Sequence, residues 1–222
     1  MTVAITFDNA STAAGVAVTS ITWTHTAGGT NTYLLVGGAT SGANPISAVA
    51  ANGNSLTMRA AGGQGTNSRG SIWDVSGLSG VLSISAIPAA GATTSFGIGA
   101  VSYAGVAQTN PAGGGSSLTA VGAIAFNFSV SATANNVCVA VWTTNSITAA
   151  VVTAPQTERF RAGTTAFIIC AEKSATGAVA SFSWTCATGK SVFMAGIPIS
   201  GTDSVAGAAS FIVGIPLIGV GQ

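Results

Sequence analysis

The chain has 222 residues and a formal net charge of +1, with 5% of residues charged and 48% hydrophobic. A soluble domain ordinarily carries about 25% charged residues, so this exterior must be built from Ser, Thr, Asn, Gln and Gly, or be covered by neighbouring subunits. Six cations scattered singly along the chain exclude the clustered Lys and Arg that phosphate neutralisation needs, so no nucleic acid partner is expected.

A chain of this length can bury a sizeable core without a disulfide or metal. Its near-zero net charge weakens colloidal repulsion and favours association. The opening residues, Met1 to Asp8, lack the basic and apolar regions of a secretory signal and read as a first strand. On that reading an extracellular protein of this composition needs another route out of the cell, of which release by lysis, as for a phage virion, is one.

Period-2 alternation then marks half-buried strands. Ile21, Trp23 and His25 share one face, with Thr22 and Thr24 on the other. Residues 33–36 form a continuous apolar run, as expected of a strand buried on both faces. Residues 46–51 and 54–60 flank Asn52-Gly53, the pair that supplies both positive-φ positions of a type I′ turn. In this predicted hairpin Leu56 and Met58 face inward, while Thr57 and Arg59 face outward. Residues 60–69 read as a loop.

Leu82, Ile84 and Ala86 alternate with Ser83 and Ser85. Residues 108–117, rich in Gly, Pro and Ser, read as a linker between two sheets. Ile124, Phe126, Phe128 and Val130 alternate again, as do Phe182, Trp184 and Cys186. Residues 137–142, 167–171 and 192–197 are further central-strand runs. No window has a helical apolar period with charged flanks. The expected fold is therefore all-β: a single antiparallel β-sandwich of jelly-roll type over residues 1–202, with an apolar C-terminal arm over 203–222.

The arm carries Phe211, Ile212, Val213, Ile215, Leu217, Ile218 and Val220 and no charge beyond Asp203. Fully burying such side chains is worth about 1.5–3 kcal/mol each, so they are expected to make an assembly contact, in cis or on a neighbour. Gly207, Gly214, Pro216, Gly219 and Gly221 interrupt the run and no Lys or Arg flanks it, which argues against a membrane span.

Chemistry has little material here. The acids are Asp8, Asp74, Glu158, Glu172 and Asp203, and no two lie within ten residues of each other. That spacing does not suggest the carboxylate pair of a glycosidase. His25 is the lone histidine, and no G-x-S-x-G element accompanies it. Cys138, Cys170 and Cys186 lack zinc-ligand spacing and read as buried small hydrophobes. Asp8-Asn9 is too small a cluster for calcium. The glycines at 113–115 lack the lysine of a phosphate-binding loop. No catalytic residue, metal site or cofactor is expected.

Glu158, Arg159 and Arg161 form the densest charged patch, which reads either as a solvated strand end or as an assembly contact; Arg161 would pair with Glu172, or Glu158 with Lys190. The tryptophans are expected mainly in the core, although exposed aromatics would suit a sugar-stacking surface.

The order of landmarks carries a resemblance. Phe7-Asp8-Asn9-Ala10-Ser11 leads to Ile21-Thr22-Trp23-Thr24-His25-Thr26, Tyr33-Leu34-Leu35-Val36-Gly37 and the Asn52-Gly53 hairpin with Leu56-Thr57-Met58. Val101-Ser102-Tyr103-Ala104-Gly105-Val106, Gln156-Thr157-Glu158-Arg159 and Phe182-Ser183-Trp184-Thr185 follow. Over about residues 3–200 this resembles a loosely defined group of jelly-roll-like phage and bacterial proteins, some of them virion-associated. The resemblance supports the fold more than a function; near-neutral composition, the missing export signal, the β-sandwich fold and the apolar tail together lead to the expectation of a bacteriophage structural protein: capsid decoration or cement, or a head-fibre or tail-appendage component. Its partners would be a major capsid or tail protein and copies of itself, a trimer being one arrangement. A glycan-binding adhesin module and a self-assembling extracellular filament subunit are the alternatives. No active-site residue is implied.

Overall fold

The computed structural model describes residues 4–42, 44–64, 68–89, 94–144 and 151–202. The predicted arm at 203–222 lies outside them. The described chain is all-β and its sheets are antiparallel. The strands are β1 (Thr6–Val18), β2 (Ile21–Ala27), β3 (Tyr33–Ser41), β4 (Ile46–Ala51), β5 (Asn54–Ser55), β6 (Thr57–Gln64), β7 (Ser68–Ser76) and β8 (Gly80–Pro88). They continue as β9 (Thr94–Ala104), β10 (Ser116–Ser131), β11 (Val137–Thr144), β12 (Val151–Val152), β13 (Thr157–Ala162), β14 (Phe167–Ser174) and β15 (Val179–Ile199).

Three sheets result. Sheet I runs β2-β8-β4-β5, sheet II runs β1-β9-β3-β7-β6, and sheet III runs β10-β15-β11-β14-β13 with β12 added to β15. Sheets I and II enclose one core, containing Leu34, Val36, Trp73, Leu82, Ile84 and Ile98. Sheets II and III enclose a second, containing Tyr33, Leu35, Ile72, Tyr103, Val141, Ile168 and Phe193. The sandwich is therefore one of several stacked sheets. Nothing in these strand orders establishes jelly-roll connectivity.

A further layer comes from the antiparallel β10–β15 pair. Its register shifts near Ala120, Ala123 and Ala125. Beyond that irregularity Phe126, Phe128, Phe182 and Trp184 share a core with Cys138, Trp142, Ile169 and Met194 on the other face of sheet III. Sheets II and III are thus covered on both sides. This explains the unbroken apolar runs: β3 is buried from Tyr33 to Thr40, and β11 from Cys138 to Thr144. The linker at 108–117 connects β9 of sheet II to β10 of sheet III, as expected.

The Asn52-Gly53 turn forms with both residues at positive φ (48° and 79°), and Ala51 pairs with Asn54. The return strand differs from expectation. It stops after Ser55, and Leu56 fills the first core while β6 crosses to sheet II and pairs with β7. A register shift between Met58 and Ala60 then leaves Met58 51% exposed, so it does not face inward. Most of the predicted loop at 60–69 is instead the arms of the β6–β7 hairpin.

Candidate functional site

The structure gathers several polar side chains into small clusters between neighbouring strands and sheets. The first joins β1, β2 and β9. Asp8 and Ser11 lie on β1, His25 on β2 and Ser102 on β9. Ser102 Oγ donates to Asp8 Oδ2 at 2.6 Å, and His25 Nε2 lies 3.0 Å from Ser102 Oγ. On the other side of the ring, His25 Nδ1 lies 2.8 Å from Ser11 Oγ, which also accepts from Trp23 Nε1 at 3.1 Å. One neutral tautomer satisfies every bond: Nε2–H donates to Ser102, and Nδ1 accepts from Ser11. Asp8 Oδ2 also accepts from the Gly28 amide at 2.7 Å, and Asn9 Nδ2 donates to Thr26 O at 2.9 Å. The cluster therefore ties the edge of sheet II to the edge strand of sheet I.

A hydroxyl bonded to a neutral imidazole has the elements of an activated nucleophile. Here, however, the ring is only 1% exposed, and Ser11 Oγ already accepts from an indole. The group functions as a cross-sheet tie.

His25 is held below its ordinary value of 6.5 by burial, partly opposed by the Asp8 carboxylate. A histidine buried neutral contributes its full stability above the unfolded-state value and loses it as the pH falls below that value. Acidification from neutrality through about pH 6 is thus expected to lower the urea midpoint. His25→Gln should flatten this dependence, while an equal acid response in both proteins would assign it to other groups.

The second cluster is Tyr33, Arg59 and Asp74 on neighbouring strands of sheet II. The Tyr33 hydroxyl donates to Asp74, and Arg59 Nε lies 2.8 and 2.7 Å from the two carboxylate oxygens. The third cluster repeats this chemistry between sheets. The Tyr103 hydroxyl donates to Glu172 Oε2 at 2.7 Å, and Arg159 pairs with Glu172 and covers the Phe7 ring at 3.9 Å. Burial, reinforced by neighbouring groups that include these carboxylates, pushes both tyrosine hydroxyls well above their ordinary range, which keeps them as donors.

The predicted charged patch is thereby divided. Arg159 turns inward to Glu172, while Arg161 pairs with Glu158 at 2.7 Å rather than with Glu172. A register shift between Glu158 and Phe160 separates the two arginines. The Lys190 side chain lies outside the described groups, as do Phe211, Ile212, Val213, Ile215, Leu217, Ile218 and Val220. The Glu158–Arg161 pair remains at the surface, where such pairs are worth about 0–1 kcal/mol.

Sequence reasoning missed the partnering of Asp8, Asp74 and Glu172. Two weak signals were present. Asp74 interrupts the buried run of β7, and Glu172 directly follows the apolar run of β14.

Among the described residues, no group of three His, Cys, Asp or Glu side chains could hold a metal ion. Cys138, Cys170 and Cys186 are buried, and burial raises the Cys138 thiol to about 11 and the Cys170 thiol well above its ordinary range. Neither of those two offers a reactive thiolate near neutral pH. Trp73, Trp142 and Trp184 are buried, and Trp23 is partly buried with its N–H bonded to Ser11. No family model, curated protein or solved structure matches the chain.

Proposed function

We propose that this chain is a structural subunit that works by packing against copies of itself and a larger particle, as a bacteriophage decoration, cement or appendage protein does. The observation that carries this reading is where the charges go. Asp74 is buried, Arg59, Arg159 and Glu172 are drawn partly into the fold, and Asp8, though exposed, is held by Ser102 and Gly28. What faces outward is largely hydroxyl, amide and small apolar groups.

Both ends of the stack have this character. On sheet I, Thr22 lies opposite Ser85, Thr24 opposite Ser83 and Thr26 opposite Val81. Val81 is 68% exposed and Ile87 48%. On the outer halves of β10 and β15, Ser129 lies opposite Ser181 and Asn127 opposite Ser183. Such faces repel one another little, and their hydroxyl and amide groups cost less to bury than charges once a partner hydrogen-bonds them. The burial of most tryptophans leaves little aromatic surface among the described residues for stacking on a sugar, so the adhesin reading is the weaker one.

Light scattering across a concentration series, with electron microscopy, tests the proposal. Self-association should persist in about 1 M salt, where the Debye length is about 3 Å, because uncharged contacts are not screened. A protein that stays monomeric at every concentration and binds no particle would remove the reading.

A further inference from the structure

The end of the core between sheets II and III is open. A cavity of about 750 Å³ lies there, among the start of β1, the turn before β11 and the turn after β14. Its apolar lining includes Ile5, Val137 and Ala175, and Ile5 and Val137 are half-buried extensions of the core that contains Ile199 and Val106. Asn135, Ser174 and Thr176 are on its wall, and none of the described residues that line it is charged. An apolar core that ends in a cavity of this size lacks its last layer of side chains.

The chain itself exits at that place. Gly201 lines the cavity and bridges to Val106, and the Thr202 amide donates to Gly105 O at 3.0 Å. Thr202 Oγ1 is buried, with no hydrogen-bond partner among the described residues. Of the next twenty residues, 203–222, the stretch 211–220 holds seven large apolar side chains, and the single charge is Asp203.

We propose that this cavity is the seat of the molecule's own C-terminal segment, with side chains from residues 211–220 completing the core in cis. About 35 Å of extended chain separates Phe211 from Gly201, ample for the segment to turn back through Gly207. Tethering favours this occupant. A segment attached at the rim has an effective concentration in the millimolar range, which a second molecule matches only at high density. Completing the core in this way goes beyond the assembly role and does not depend on it.

Limited chymotrypsin digestion of the full chain, read by mass spectrometry, tests the seat at Phe211 and Leu217. Both sites should resist cleavage in the unmodified protein. Thr176→Trp and Ala134→Trp, each replacing an exposed rim residue, should fill the mouth and raise cleavage at least about tenfold, since proteolysis tracks the open population. Ser47→Trp, exposed on sheet I, should change nothing. Circular dichroism separates release of the segment from unfolding. Equal cleavage in the unmodified and rim-substituted proteins would overturn the proposal. Protection that appears only as concentration rises would also overturn it, because the segment would then sit in a neighbour.

Discussion

Replacing Phe193 with alanine is expected to lower stability by about 3–5 kcal/mol, the range for deleting a buried aromatic ring. Phe193 lies on β15 and is 1% exposed in the core between sheets II and III. Its ring occupies a depression that sheet II makes by omitting side chains. Gly62 and Gly70 are paired across β6 and β7, and a Cβ on either would come within 2.5 Å of the ring. The backbone on both sides is held in a sheet ladder, so collapse around the missing ring would be limited and a cavity would remain. Gly70→Ala tests the same contact from the other side, because its methyl would also meet Thr143 Oγ1 at 2.6 Å. Urea unfolding should show both losses. A cost below about 1 kcal/mol for Phe193→Ala would mean that the sheets are not held together at this point.

The second large effect is expected at Asp74. Its side chain is fully buried, whereas the Arg59 side chain is 30% exposed. Asp74→Ala removes the acceptor for both the Tyr33 hydroxyl and the guanidinium. The expected cost is about 3–5 kcal/mol, mostly from leaving the buried donors unpaired. The combined variant Asp74→Leu, Tyr33→Phe, Arg59→Met removes the donors together with the acceptor and should recover most of that loss. Denaturant titration of the two proteins separates the explanations. If the combined variant is no more stable than Asp74→Ala, lost packing rather than unpaired polarity accounts for the effect.

The two tyrosine–carboxylate–arginine clusters have a common consequence. Each lets a carboxylate lie within the layered core with its charge compensated and its lone pairs occupied. The surface therefore gives up charge without leaving an uncompensated one inside. This links the electrostatics of the fold to the proposed role. The molecule stays folded with very few ionisable groups, and its outer faces are left free to pack.

Much of the local structure was determined by the sequence alone. Alternation in β2, β8 and the outer halves of β10 and β15 specified which side chains face inward, because the pleat points successive residues to opposite sides. The Asn52-Gly53 turn followed from the positive φ that only such residues tolerate well. The unbroken apolar runs specified which strands would be covered on both faces. Tertiary structure alone decided which strands pair, that β6 leaves its hairpin for sheet II, and that the outer halves of the paired strands β10 and β15 form another layer. It also decided that Arg159 meets Glu172, and that His25 meets Asp8 through Ser102. These are contacts between residues far apart in sequence. Period-2 patterning determines the face of a side chain but carries no information about the partner across the layer, which depends on how whole sheets stack.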